Sequence, residues 1–525
     1  MKEIKLTQLL YIALMSTGLA TNAQTSTIYH AKKSGLSETE LKRWSHLDLK
    51  KDSIPGMSVD KAYAELLKDK KGVKIIVGVI DSGVDIEHED LKSVIWTNSK
   101  EIPNNKIDDD KNGYVDDIHG WNFLGEATKE NLELTRIIKK GNVNTDEYKK
   151  AKLEYDKKYE EALTNKDQVD FILNASKIIS EYLNKENYTV EDVKSISSPK
   201  ADVLQSKYLM LEIIKQTGDD FLTEIKAYKE QVYDDLNYNL NLEFDGRKVV
   251  GDNPDDIKDI KYGNNNVSGP DKEFALHGTH VAGIIAQVRN NNLGGDGVSN
   301  NVEILVVRAV PNGDEYDKDI ALAIRYAVDN GAKVINGSFG KSYSTHKEWV
   351  YDAIKYAEKK DVLIVHAAGN DGHNIDLPEY NNYPNDSEDN KTEFVNNMIT
   401  VGALNDTYDS NLVADFSNYG SFNVDVFSPG SEIYATVPNN KYKFEQGTSM
   451  ASPNVAGVAS LIRSYYPKLS ASQVKQILMD SGIASPLEVT LGETKETREF
   501  KNASKSGKMV NAYNALIIAD KISKK

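Results

Sequence analysis

The run Val73-Lys74-Ile75-Ile76-Val77-Gly78-Val79-Ile80 is dominated by β-branched residues and stops at Asp81-Ser82-Gly83. A short apolar run without alternation reads as a strand buried on both faces, the habit of parallel sheets. Such a strand delivers Asp81 at its carboxyl end, where open α/β sheets gather their chemistry. From His277 onward, strand and helix patterns alternate. Val302–Ala309, Val334–Asn336, Val362–Ala368 and Met398–Ala403 predict strands, and Lys318–Asn330 and Lys347–Lys359 predict helices between them. Further helices are expected over Leu461–Met479 and Val510–Ile518. The rhythm predicts an α/β fold in three layers, a mostly parallel central sheet covered by helices on both faces.

A hydrophobic share of 39 % over 525 residues supports a sizeable core. The net charge of −16 argues against nucleic acid or an anionic membrane surface as a partner. With no cysteine there is no disulfide, thiolate metal site or cysteine nucleophile. Residues 1–23 read as a signal peptide: Lys2 and Lys5 open it, an apolar stretch runs from Leu6 to Ala20, and Thr21-Asn22-Ala23 close it before Gln24. The apolar part is shorter than the roughly 20 residues of a spanning helix. A secreted or periplasmic monomer with no stable membrane insertion is expected, and calcium is the stabiliser that suits a secreted chain without disulfides.

Gly447-Thr448-Ser449-Met450-Ala451-Ser452-Pro453 reads as a loop feeding a helix, with Pro453 in the first turn and Ser449 at or just before the N-terminus. Free N–H groups and the helix dipole favour negative charge there. A lone serine in that place is best read as an N-cap. His277-Gly278-Thr279-His280 opens a second apolar helix, however, and the order along the chain is Asp81, His277, Ser449. That is the order of subtilisin and not of chymotrypsin or the α/β-hydrolases.

These three segments resemble the subtilisin-like serine proteases, the subtilases, over roughly residues 70–125 and 270–515. The resemblance implies the subtilisin-like fold, with Asp81 as orienting acid, His277 as base and Ser449 as nucleophile, leaving the nearby His280 structural. It implies Asn370 as an oxyanion donor beside the Ser449 N–H, and Ser338-Phe339-Gly340 as the edge that pairs with extended substrate. Ala367, Ala368 and Gly369 would line a pocket with room for a large apolar or aromatic side chain. Asp90, Asn291, Leu293 and Gly295 match a family calcium loop. Asn454 stands where many members have histidine. The implied activity is that of a secreted serine endopeptidase acting on proteins and peptides through an acyl-enzyme, with no organic cofactor. The alternative is a catalytically silent or self-inhibited subtilase-fold module that binds a peptide or partner. A serine esterase is disfavoured because Ser449 lies in G-x-S-x-A.

Asp108-Asp109-Asp110-Lys111-Asn112-Gly113-Tyr114-Val115-Asp116 has the alternating oxygen donors and sixth-position glycine of an EF-hand loop, without its closing glutamate. It predicts a calcium loop through Asp108, Asp110, Asn112, Tyr114 and Asp116. Residues 24–70 read as an N-terminal arm, and 71–125 with 246–520 as a discontinuous catalytic domain. Residues 126–245 read as a helical insertion. Its stripes, Ile172, Ile179, Leu183 and Leu222, Ile225, Val232, Leu236, are packing faces, and Thr189 with Asp192 is a capping pair.

Overall fold

A computed structural model describes residues 29–524. The signal-peptide segment 1–23 lies outside the described residues. The strands are β1 (Ile75–Asp81), β2 (Gly120–Asn122), β3 (Val302–Arg308), β4 (Val334–Gly337), β5 (Leu363–Ala367), β6 (Met398–Leu404), β7 (Val426–Pro429), β8 (Ile433–Val437), β9 (Lys441–Glu445), β10 (Ile483–Ala484), β11 (Glu488–Leu491), β12 (Glu496–Glu499) and β13 (Lys508–Met509). Nine of them form one sheet in the order β10-β13-β7-β6-β5-β4-β1-β3-β2. All its pairings are parallel except β10 with β13.

Side chains alternate across this sheet into two cores. Val77, Val79, Ile304, Val306 and Val365 pack with Ile284, Ile285, Val455 and Val458 of two helices on one face. Ile80, Leu305, Val307 and Ile364 pack with Ile320, Ile324, Val350 and Ile354 on the other. The architecture is therefore the three-layer α/β one, in which strands buried on both faces read as unbroken apolar runs.

The longer helices are α1 (Glu133–Lys140), α2 (Asp146–Leu183), α3 (Val190–Ser195), α4 (Ala201–Thr217), α5 (Phe221–Asp234), α6 (Leu276–Ala286), α7 (Asp317–Asp329), α8 (Lys347–Lys359), α9 (Thr448–Tyr465), α10 (Ala471–Ser481) and α11 (Ala512–Ser523). Two differ from expectation. Leu461–Met479 is not one helix: α9 stops at Tyr465 ahead of Pro467, and α10 restarts behind a capping box of Ser470 and Gln473. Pro453 sits inside α9 and not in its first turn, because the helix already begins at Thr448.

Helices α1 to α5 project from the sheet between β2 and α6. Ile179, Val193, Met210, Phe221 and Ile225 form a small core of their own. Leu134, Ile137, Tyr155 and Leu240 join Tyr343 of the sheet domain in another. Thr189 and Asp192 form a reciprocal capping box at α3. Ahead of β1, Trp44, Leu49, Ile54 and Met57 are buried in the larger core, and the Trp44 indole donates to the Ser431 carbonyl at 3.0 Å.

Candidate active site

Three carboxyl ends of neighbouring parallel strands converge. β1 ends at Asp81, β4 leads into Ser338, and β5 leads through Ala367 to Asn370. Across them lie the N-termini of α6 and α9, which carry His277 and Ser449.

Asp81 is 1 % exposed. Its Oδ1 accepts from His277 Nδ1 at 2.7 Å and from the Ser82 N–H at 2.7 Å. That approach depends on Gly278: a Cβ there would lie 2.1 Å from the Gly83 carbonyl oxygen and 3.0 Å from Asp81 Cβ. Burial draws the His277 imidazole down, but the Asp81 charge and hydrogen bond, helped by Glu445, leave it above its ordinary value. His280 is different. It is wholly buried, its Nε2 donates to the Lys443 carbonyl at 3.1 Å, and burial lowers it to about 4. It is a neutral packing residue turned toward β9.

Ser449 lies in the first turn of α9, where its N–H has no carbonyl within the helix. Its Oγ donates to the Ser338 carbonyl at 3.2 Å. Ser338 Oγ in turn donates to the Ser449 carbonyl at 2.8 Å. Pro453 explains that spare carbonyl, since residue 453 is the one whose N–H would otherwise bond to it. Asn336 completes the bracket, donating to Ser338 Oγ at 2.9 Å and accepting from Ser452 Oγ at 2.9 Å.

Asn370 is oriented by Thr448, a residue that the sequence motif contains without revealing its task. Asn370 Oδ1 accepts from the Thr448 N–H at 2.8 Å and from its hydroxyl at 3.0 Å. The same hydroxyl accepts from the Gly369 N–H at 3.0 Å. The amide oxygen is thus held, and Nδ2 is left to donate. Asn454 is buried far along the helix, donating to the Pro429 and Met450 carbonyls.

The Subtilase family profile matches residues 72–504 of this chain. The chain belongs to the subtilase family. It is 45 % identical to the Thermophilic serine proteinase of Bacillus sp. (strain AK1) over 36 % of this chain and 42 % of that one. It is 35 % identical to Subtilisin-like protease 1 of Plasmodium falciparum (isolate 3D7) over 48 % of this chain and 38 % of that one. It is 39 % identical to Subtilisin DY of Bacillus licheniformis over 38 % of this chain and 68 % of that one. The chain spans less than half the length of the first two relatives.

In this subtilase, Ser449, Thr448, Asn370 and Gly369 open onto a cavity of about 360 Å³. Phe339, Gly340 and Ala367 line it, while Ala368 is buried behind. The Phe339 carbonyl is fixed by His366 Nε2 at 2.7 Å, and burial lowers that imidazole to about 4. The far wall comes from elsewhere: Leu132, Leu134, Glu154 and Lys158, from the segment before α1 and from α1 and α2, together with Asp314. A buried ion cluster joins that wall to the cleft. Lys341 Nζ donates to Glu133 Oε2 at 3.0 Å and to the Glu315 carbonyl at 2.8 Å, and lies 3.1 Å from Asp317. Arg136 pairs with Glu133 and donates to the Asp314 carbonyl at 2.8 Å. Burial opposes the Glu133 charge, yet Arg136 and Lys341 hold its carboxyl well below the usual range.

The two cation loops fare differently. Asp108 and Asp110 converge with Glu101, one oxygen of each within 4.8 Å of the others, a hard-oxygen set that fits Ca²⁺. Asp116 does not join them. Its carboxylate turns back to accept from the Asn105 and Lys106 N–H groups at 3.2 and 2.9 Å, in a left-handed backbone with φ 53°. Asn112 turns its amide nitrogen to Asp117 at 3.0 Å, and its oxygen accepts from the Tyr114 N–H at 2.8 Å. Glu101 lies outside the nine-residue pattern. At the other loop, Asp90 is buried and accepts from Asn291 Nδ2 at 2.6 Å and the Val288 N–H at 3.0 Å. Asn291 Oδ1 is occupied by the Leu293 N–H at 2.9 Å, and Gly295 lies against the Gln287 amide. In this arrangement the Asp90 and Asn291 side chains are bonded to each other and to backbone N–H groups.

Proposed function

We propose that this subtilase is a secreted serine endopeptidase that cleaves polypeptides through an acyl-enzyme. The observation that carries the reading is the His277 Nδ1 contact with the buried Asp81 carboxylate, in a chain that also carries Ser449 at a helix N-terminus. Asp81 fixes the tautomer that leaves Nε2 basic. Ser449 Oγ leaves the Ser338 carbonyl, gives its proton to Nε2 and attacks the scissile carbonyl. The oxyanion is held by the Ser449 N–H and Asn370 Nδ2. His277 then returns the proton to the leaving amine, and water repeats the cycle on the ester.

Residues Glu101, Asp108 and Asp110 would hold a structural Ca²⁺, whose charge would offset three gathered carboxylates and steady the loop between β1 and β2. Secretion rests on the character of residues 1–23, and a monomer acting on protein or peptide substrates completes the reading.

A self-inhibited module is the second reading. It is favoured by the Ser449 hydroxyl bonding to Ser338 and by inserted residues in the same cavity. One experiment separates the two. Purified protein is treated with a fluorophosphonate probe and assayed on casein, wild type beside Ser449→Ala, with and without EDTA. Labelling and hydrolysis that vanish in the variant, and a melting temperature lowered by EDTA, support protease and calcium together. A folded wild type that neither labels nor cuts overturns the protease reading.

A further inference from the structure

The small residues Ala367, Ala368 and Gly369 by themselves imply room for a large apolar or aromatic group. The inserted helix changes the chemistry of that space. Glu154 lies on α2, far from the catalytic motifs in sequence, yet it lines the same cavity as Ser449 and Asn370. Its Oε2 accepts from the Tyr343 hydroxyl at 2.8 Å, which fixes the carboxylate without neutralising it. Its Oε1 faces Lys158 Nζ at 3.9 Å, beyond hydrogen-bond reach, and that lysine side chain is 45 % exposed. Lys341, the other cation on the wall, is already committed to Glu133 and Asp317. Asp371 adds a second carboxylate to the lining.

We propose that Glu154 makes this pocket select lysine or arginine side chains of the bound polypeptide. A guanidinium or ammonium entering the cavity meets an anchored carboxylate with one oxygen free to accept, and charge-assisted contacts of this kind are the strong ones. Leu132, Leu134 and Phe339 offer apolar surface to the methylene stem, as long basic side chains require. An acidic side chain meets a surplus of carboxylates. The inserted segment is then a specificity element, contributing Leu132, Leu134, Glu154 and Lys158 to the pocket lining.

The inference rests on the polypeptide-substrate reading, so it is tested by binding and not by turnover. Fluorescein-labelled peptides identical except for Arg, Leu or Glu at one varied position are titrated into the Ser449→Ala protein, with and without Glu154→Gln, and anisotropy is read. The expected result is tightest binding of the Arg peptide. Glu154→Gln should weaken the Arg peptide roughly tenfold and the Leu peptide less than twofold, the loss of one hydrogen bond to a charged group. Lys158→Met should leave the Arg peptide at least as tight. An Arg-to-Leu ratio near one, or a ratio that Glu154→Gln leaves unmoved, overturns the proposal. Because the nucleophile is absent, the ratio stands whether or not wild type accepts fluorophosphonate.

Discussion

Replacing Thr448 by valine removes one oxygen and little volume, and the structure indicates what that oxygen does. The hydroxyl donates to Asn370 Oδ1 and accepts from the Gly369 N–H, both at 3.0 Å, and Thr448 is fully buried. Thr448→Val therefore strips Asn370 of one of two restraints, since the Thr448 N–H still reaches Oδ1 at 2.8 Å. It also leaves the Gly369 N–H without its acceptor. The stability cost should be about 1–2 kcal/mol, one hydrogen bond lost and one donor stranded. The kinetic cost should be a fraction of what the asparagine itself supplies, which for an oxyanion donor is about 10²–10³ in kcat. A fall of roughly five- to twentyfold in kcat with KM nearly constant is expected on a fluorogenic peptide. The decisive measurement is the double-mutant cycle with Asn370→Ala. If Thr448 works through Asn370, its loss should cost almost nothing once the amide is gone. A Thr448→Val enzyme with wild-type kcat, or one that loses the same factor in both backgrounds, refutes the reasoning.

The His277 value, raised by Asp81 against the pull of burial, places the acid limb of kcat/KM above pH 6.5. Asp81→Asn should move that limb downward and reduce kcat roughly 10⁴-fold; a limb that stays in place counts against the pairing. The same pair stabilises the fold fully below the unfolded histidine value and loses that contribution as pH rises through the raised one, which urea midpoints across pH 6–9 would register. Lys341→Met leaves the buried Asp317 without its cation and Glu133 with Arg136 alone, and should cost about 3–5 kcal/mol, with α1 and α2 becoming the first segments cut in limited proteolysis. A loss under about 1 kcal/mol would mean that the cluster does not bolt the inserted helices to the cleft.

Much of the layered sheet was legible because its evidence is local. β-Branched runs, a 3.6-residue apolar period and glycine-led helix entries sit within a few residues of each other, and the predicted strands at 302, 334 and 398 begin where the structure begins them. What the sequence hid depends on distant contacts. Pro453 looks like a first-turn proline until Thr448 is seen to start the helix. Glu101 lies seven positions before Asp108 and meets it only through the fold of the loop. Asp116 has the right spacing for a ligand, but its carboxylate lies outside the convergence of Glu101, Asp108 and Asp110. Glu154 carries no motif at all; on a helix rich in lysine and glutamate it is indistinguishable from a solvated surface residue until Tyr343 and the cavity are in view.

The proline inside α9 bears on the proposed turnover. Because Pro453 brings no N–H, the carbonyl of the nucleophile's own residue is gripped by Ser338 from outside the helix. On the proposed reading, Ser338 would also open the segment that an extended peptide pairs with. A peptide laid along Ser338–Gly340 would then bear on the backbone that aims Ser449 through the Ser338 hydroxyl. Lengthening a substrate along that edge should raise kcat as well as affinity, since contacts far from the scissile bond are transmitted to the attacking atom through a single hydroxyl.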